Sequence, residues 1–542
     1  MTFRRTLRTL ALTLACLLAG QHALQAQGKL PVDTAAEAGI LLFANGAEPA
    51  TLDPNLATGV TENRIISSLI EGLFSYHPED QSLQEPGMAE SWEHNEDYSV
   101  WTFRIRDARW SNGDPVRASD FVYSAQRLLS PEFGAPYANM LYPIRGAEDF
   151  HQGRTSDFSS VGIRALDDRT LRYELVGSIP FFRNMLTHYA WFPVHPPTIE
   201  AHGGMLRRGS PWTRVENLVG NGPFRLAEWR VNQIIRVVRS ETYWDAENVR
   251  LNEIHFLPID NMATEEQMFR TGQLHVTNMI PPERIDWWRA NNPASLRLEP
   301  YFGTYFYRFN TTRRPLNDPR VRRALTLAID QQAIVDTITR GGEEPAHAFV
   351  PPGMSGYEPP FVIEFDPSKA RSLLAEAGFP NGRGFPRLEL LFNTLETHRR
   401  IAEAIQAMWR TNLGIEITLT NQEWKVYLET VRNMNYDIAR AGWIGDFMDP
   451  VTMLKLWRSN DGNNNTGWSN QRFDNLLDRS WRESDPKHRL GVLLEAEGVL
   501  LEGLPIAPIY WYTTKRLVDP RVRGFNALAL DNRPWKRVHF AR

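Results

Sequence analysis

Cysteine is almost absent: the 542 residues hold one, Cys16, inside the apolar run Leu10 to Leu18 near the start of the chain. A chain that loses that segment on export has no disulfide and no thiol chemistry. The compact signatures of catalysis are missing as well. No H-E-x-x-H, no G-x-S-x-G, no phosphate loop and no C-x-x-C occurs. Gly353-Met354-Ser355-Gly356 falls short of a nucleophile elbow, and His202-Gly203-Gly204 without an elbow is a glycine turn. The 13 histidines are scattered rather than paired at ligand spacing, so neither a metal nor a cofactor is expected. Nor do basic residues prevail, with 60 Lys and Arg against 64 Asp and Glu, which argues against a nucleic-acid partner.

What is present begins with an export signal. Arg4, Arg5 and Arg8 precede the apolar run, and small residues around Ala23, Ala26 and Gly28 follow it, so residues 1–26 read as a cleaved signal peptide and the mature chain as exported. Arg4-Arg5 with Leu7 leaves a twin-arginine route open beside the general one. Removal takes three arginines and no acid, leaving 57 basic residues against 64 acidic and a net charge of −7. The remaining length exceeds one hydrophobic core, so two or three domains are expected. The 17 Trp, 16 Tyr and 27 Phe fill cores, and an excess of Trp also suits a pocket for varied apolar groups.

Along the chain, strands and helices alternate as in an α/β protein. Ile40 to Asp53 reads as a strand and a turn, and Ile65, Ile66, Leu69 and Ile70 recur at helical spacing. Trp101, Phe103 and Ile105 alternate as a half-buried strand, and Phe121, Val122, Ala125, Leu128 and Leu129 share a helix face after the turn Trp110 to Val116. Ile234, Ile235, Val237 and Val238 form a buried-strand run, and Gly303 to Asn310 is an aromatic strand. Asp318-Pro319 and Asp366-Pro367 start helices, with Gly378 closing the second. Thr397 to Leu413 is a helix with Ile401, Ala404, Ile405, Met408 and Trp409 inward, ended by Gly414. A strand through Ile415, Ile417 and Leu419 then runs to Asn421-Gln422-Glu423-Trp424-Lys425.

The most informative stretch is Ala439 to Pro450, A-R-A-G-W-I-G-D-F-M-D-P. It reads as a strand, continuing from Tyr436 and Ile438, in which Gly442 and Gly445 leave the backbone bare where another chain could approach. Asp449 before Pro450 reads as a helix cap. Asp446, between Trp443 and Phe447, has no such duty, so its carboxylate is expected to be partly desolvated and to want a cation.

This stretch resembles that of the periplasmic oligopeptide-binding proteins, the extracytoplasmic receptors of ABC importers. So do Gly46 to Pro54 (G-x-E-P-x-x-L-D-P), Trp110 to Ser124, and the N-D-P-R-V-R run at Asn317, and the resemblance covers nearly the whole mature chain. It implies a periplasmic-binding-protein type II-like α/β fold, in which two lobes close on a cleft beside an additional domain. The implied division is 27–70, 197–302 and 515–542 for domain I, 71–196 for domain II and 303–514 for domain III.

For function, the resemblance implies a monomeric receptor that binds a short peptide and presents it to an ABC permease. Asp446 matches the aspartate that holds the peptide ammonium, while Arg440 and His398 match cations near the peptide carboxylate. His398 also stands at a predicted helix N-terminus, where it reads equally as a first-turn surface residue. Gly59, Val60 and Gly442 to Ile444 would flank the peptide as extended segments, as in strand addition. Trp424, Trp443 and Phe447 would line side-chain pockets, and Tyr137 matches a tyrosine that reaches the ligand, though after a proline it also reads as packing.

The chain departs from the pattern where Val431, with Arg432 beside it, stands for an arginine, and where Thr337 to Thr339, next to Arg340, stand for a lysine. Ile444 takes the place of a cysteine. Receptors for dipeptides, murein peptides, metal chelates or oligosaccharides, a secreted peptidase or esterase, and a chaperone or adhesion protein are the rival readings.

Overall fold

The computed structural model describes residues 30–80 and 82–541, so the expected signal peptide and Cys16 lie outside the described residues. Three larger sheets organise those residues. In the first, Ile40–Ala44 runs parallel to Glu253–Leu257, with Ile234–Arg239 and Phe224–Arg230 added antiparallel. Leu41 and Phe43, alternating with the half-buried Ile40 and Leu42, turn into a core that holds Ile254, Phe256, Ile235 and Val237. A strand near the start of the chain thereby closes on strands from a distant part of it.

The second sheet, in the order Ala89–His94, Val100–Ile105, Thr170–Glu174 and Ile163–Asp167, is antiparallel throughout. Trp101, Phe103 and Ile105 turn inward together, as the period of two demands, and the helix Ala118–Leu129 packs beside the sheet.

The third sheet has six strands, in the order Glu344–Pro345, Ile506–Leu517, Leu296–Phe309, Ile438–Ile444, Leu388–Asn393 and Ile417–Gln422. The last three lie parallel and the others are antiparallel to their neighbours. A parallel pair needs a crossover, and the helix Glu396–Leu413 supplies it, burying Ile401, Ile405 and Trp409 and ending at Gly414 with φ +69°. The strand after it stops at Gln422. Trp424 opens the helix Trp424–Arg432, because the Glu423 side chain accepts the N–H groups of Lys425 and Val426 and breaks the expected extended run.

Leu296–Phe309 and Ile506–Leu517 are long enough to serve two parts of the molecule. They pair in two blocks, Leu296–Pro300 with Thr513–Leu517 and Thr304–Arg308 with Ile506–Trp511, and the register breaks between Pro300 and Thr304. The first block adjoins the first sheet, since Val518 bridges to Val276, which bridges to Phe43. The second block is the middle of the six-stranded sheet. The division points at residues 302/303 and 514/515 thus fall inside two continuous strands.

Candidate ligand-binding site

The site starts from an unfilled strand edge. Ile438–Ile444 pairs along its whole length with Phe309 back to Gly303, but on its other side it pairs with Leu388–Asn393 only at Ile438 and Ala439. Beyond Ala439 that outer edge has no strand partner among the described residues. Gly442 was expected to leave room for a ligand here. A β-carbon at Gly442 would instead meet the Tyr512 hydroxyl at 2.4 Å, so the glycine is what lets Tyr512 approach.

A cavity of about 320 Å³ lies against this edge. Asp446, Arg440, Trp443, His398, Trp424, Tyr137, Val60, Gly442 and Ile444 all line it, together with Gly59. Val60 arrives at the start of the helix Val60–Leu69, and Tyr137 from a turn before Ala138–Leu141. Trp424 stacks on Tyr427 at 5.8 Å, and Trp443 lies 6.0 Å from the Tyr137 ring. Phe447 does not join them. It is fully buried in the core, because the strand ends at Ile444 and the chain turns before the next side chains are placed.

At one end, Arg440 donates to Asn393 Oδ1 (3.2 Å) and to the Tyr512 hydroxyl (2.7 Å), and its guanidinium lies 4.7 Å from the Tyr305 ring centre. No carboxylate pairs with it among the described residues, and its Nε, like the indole N–H of Trp443, is buried without a partner. Buried donors are rarely left so, and these are suited to a ligand's oxygens. His398 sits in the first turn of Glu396–Leu413, buried, with Nδ1 3.1 Å from the Asn393 carbonyl. Burial, and then the nearby Arg440, hold its pKa well below the ordinary value, so it is neutral and leaves the cationic work to Arg440.

At the other end, Asp446 is 5% exposed. Its Oδ1 accepts from the Tyr137 hydroxyl at 2.9 Å and faces His188 Nε2 at 3.5 Å. Oδ2 lies 2.9 Å from Lys455 Nζ and 3.3 Å from Thr452 Oγ1. His188 Nδ1 accepts the Ala190 N–H, which leaves the ring proton on Nε2, and burial lowers its pKa to about 4. The cation that Asp446 was expected to want is therefore supplied from within the chain. Lys455, Thr452, His188 and Tyr512 were missed at the sequence level. Only Lys455 left a signal there, as a lone cation in the apolar run Val451 to Trp457.

Asp449 accepts the Val451 N–H at 3.0 Å, yet its main partner is Arg489, held by two bonds of 2.7 and 2.8 Å. Of the departures noted in the sequence, Ile444 lines the main cavity, and those at Val431 and at Thr337 to Thr339 lie off it. Val431 is buried in a small core with Tyr427 and Tyr436, and Arg340 pairs with Asp286 at 2.9 Å. Arg432 lines a smaller adjoining cavity of about 90 Å³ that shares Trp424, Arg440 and Trp443 with the first.

Comparison with known proteins places this geometry. Residues 84–465 match the family model described as bacterial extracellular solute-binding proteins, family 5 Middle. The periplasmic oligopeptide-binding protein OppA of Escherichia coli (strain K12) is 36% identical over 534 residues, covering 96% of this chain and 95% of its own. The crystal structure of Haemophilus influenzae OppA in complex with RPPGFSPFR superposes at TM-score 0.89 with 32% identity, covering 93% of this chain and 99% of that one. The Escherichia coli murein tripeptide binding protein MppA superposes at 0.88 with 34% identity, over 93% of this chain and 98% of that one. Its unliganded open form gives only 0.62 at the same identity, over 95% and 99%. The expected two-lobed α/β fold is thus established, in an arrangement unlike that open form. No described helix is long and apolar enough to cross a membrane. On the span of the family match and on identities above 30% over nearly its whole length, the chain belongs to the bacterial extracellular solute-binding proteins of family 5.

Proposed function

We propose that this protein is a periplasmic receptor, monomeric and exported through a cleaved signal peptide, that binds short peptides by their backbone and termini and delivers them to an ABC permease. The observation that carries this reading is the strand edge of Ala441 to Ile444, open past the Arg440 carbonyl that the Tyr427 hydroxyl takes, beside an unpaired, buried guanidinium nitrogen. A peptide laid along that edge adds a strand, which recognises the backbone common to all sequences. Its carboxylate meets Arg440, whose planar fork suits two oxygens at once. Its other end runs toward Asp446, between Val60 and the strand, and its side chains fall beside Trp424 and Trp443.

The names of the relatives support the ligand class, since OppA and MppA are named for oligopeptides and a murein tripeptide. The domain division proposed is that of the sequence reading, with domain I and domain III joined through the two long strands. Closure of the lobes buries the ligand. Native mass spectrometry of the gently purified protein tests the assignment. Masses of short peptides released on denaturation are expected; a co-purified sugar or metal chelate, with no peptide binding by calorimetry, overturns it.

A further inference from the structure

The acidic end of the cavity is already satisfied. A carboxylate offers about four lone-pair directions, and three protein donors take up those of Asp446, Tyr137 at Oδ1 and Lys455 and Thr452 at Oδ2, while His188 Nε2 stands 3.5 Å from Oδ1. Its charge is matched as well. Lys455 stands behind Asp446, off the cavity wall, with its side chain 7% exposed and Met140 Sδ 3.4 Å from its Nζ. Among the described residues, Asp446 is the one carboxylate within ion-pair distance of Lys455.

No other acid replaces Asp446 as an ammonium anchor. The remaining acids on the wall are Asp260, which is exposed, and Glu265, which accepts the N–H groups of Asn278 and Met279 at 2.6 and 3.0 Å. Asp461, the further buried acid beside this end, does not line the cavity, and it takes the Asn139 amide and the Asn463 N–H. A ligand ammonium brought to Asp446 would crowd against these groups and would face the like charge of Lys455. Arg440, at the far end, has no such internal counterpart.

We propose that Lys455 neutralises Asp446 from behind, so that the cavity takes short peptides with an uncharged amino end, N-acylated peptides foremost, at least as well as free ones. This rests on the peptide reading above and names its ligand class. Lys455 acts through Asp446 and is a positioning residue for specificity. The Asp446 end recognises shape and hydrogen bonding, and the carboxylate at Arg440 supplies the charge recognition.

The test is a competition. Ligand-stripped mature protein is mixed with an equimolar library of peptides of three to five residues, each present in free and N-acetylated form, and the retained species are counted by mass spectrometry. Wild type is expected to retain acetylated forms at a ratio of one or more to the free forms. Lys455→Met uncovers the Asp446 charge and should shift that ratio at least tenfold toward free amines, whereas Lys455→Arg should keep the wild-type ratio. A wild-type preference for free amines overturns the proposal, as does an unchanged ratio in Lys455→Met. Retention of neither form overturns the peptide reading itself and is recognisable as that separate failure. Should Lys455→Met not fold, Lys455→Gln replaces it, and the wild-type ratio decides without any variant.

Discussion

Lys455 Nζ lies 2.9 Å from the carboxylate of Asp446, and both side chains are buried. Breaking a buried pair from one side leaves a naked charge, at a cost of about 3–5 kcal/mol. Asp446→Ala should therefore lower unfolding stability by about that amount. The double variant Asp446→Ala with Lys455→Met should recover most of it, since no lone charge remains. Urea denaturation of the two single variants and the double variant checks this, and additive losses would show that the pair is not coupled.

Arg440 should carry the carboxylate end of the ligand. A hydrogen bond to a charged group is worth about 1.5–3 kcal/mol, so Arg440→Gln should weaken peptide binding by about 10- to 150-fold. A C-terminally amidated peptide should bind wild type about as weakly, and lose little more on the variant. Calorimetry with the two peptides on the two proteins gives the full cycle.

Asp449 is expected to matter for folding and not for affinity. Its two bonds to Arg489 are buried, so Asp449→Ala should cost about 3–5 kcal/mol, more than the loss of a cap alone, about 0.5–2 kcal/mol. Binding at saturation should be unchanged, because Asp449 does not line the cavity. Thermal denaturation and calorimetry read the two effects separately.

The buried Asp461 gives a pH signature. Burial pushes its pKa up to about 7, above its ordinary 3.8. An acid whose folded pKa is raised holds its proton longer in the folded chain, so its contribution is fullest below about pH 4 and is lost as pH rises through about 7. Asp461→Asn has no such dependence. Its stability relative to wild type should rise between pH 5 and 8, as urea midpoints at three pH values will show; a constant difference contradicts the assignment.

Ligand should compact the molecule and raise its Tm by mass action. Small-angle scattering of stripped and saturated protein measures the first and calorimetric melting the second. An unchanged radius of gyration would argue against closure at the long strands.

How much of this was legible depended on distance along the chain. Arg440, Gly442 and Trp443 could be read because they sit in one short stretch, A-R-A-G-W-I, that carries the family resemblance and forms one strand. His398 joins them because the strand Leu388–Asn393 lies beside Ile438–Ile444 and delivers the chain to the helix that carries it. Parity fails where a strand stops, and Phe447, three residues past Ile444, was misassigned to the pocket for that reason. Lys455 meets Asp446 only because the chain turns back through Val451–Leu454, a reversal that no local pattern announces. His188 and Tyr512 come from remote segments, so nothing near Asp446 or Arg440 pointed to them.

The pairing of Ile438–Ile444 with Gly303 to Phe309 decides what travels with what. That contact lies wholly past the register break at Pro300, so Arg440, Trp443 and the strand edge move with the six-stranded sheet. Val60 and Tyr137 belong to the opposite side. If the halves part as proposed, a guest on that edge would stay hydrogen-bonded to the sheet and be uncovered from the Val60 and Tyr137 face first. On the binding mode proposed above, unloading would be directional: the peptide would be stripped on one flank while still moored by its carboxylate, and that mooring would be the last contact to break.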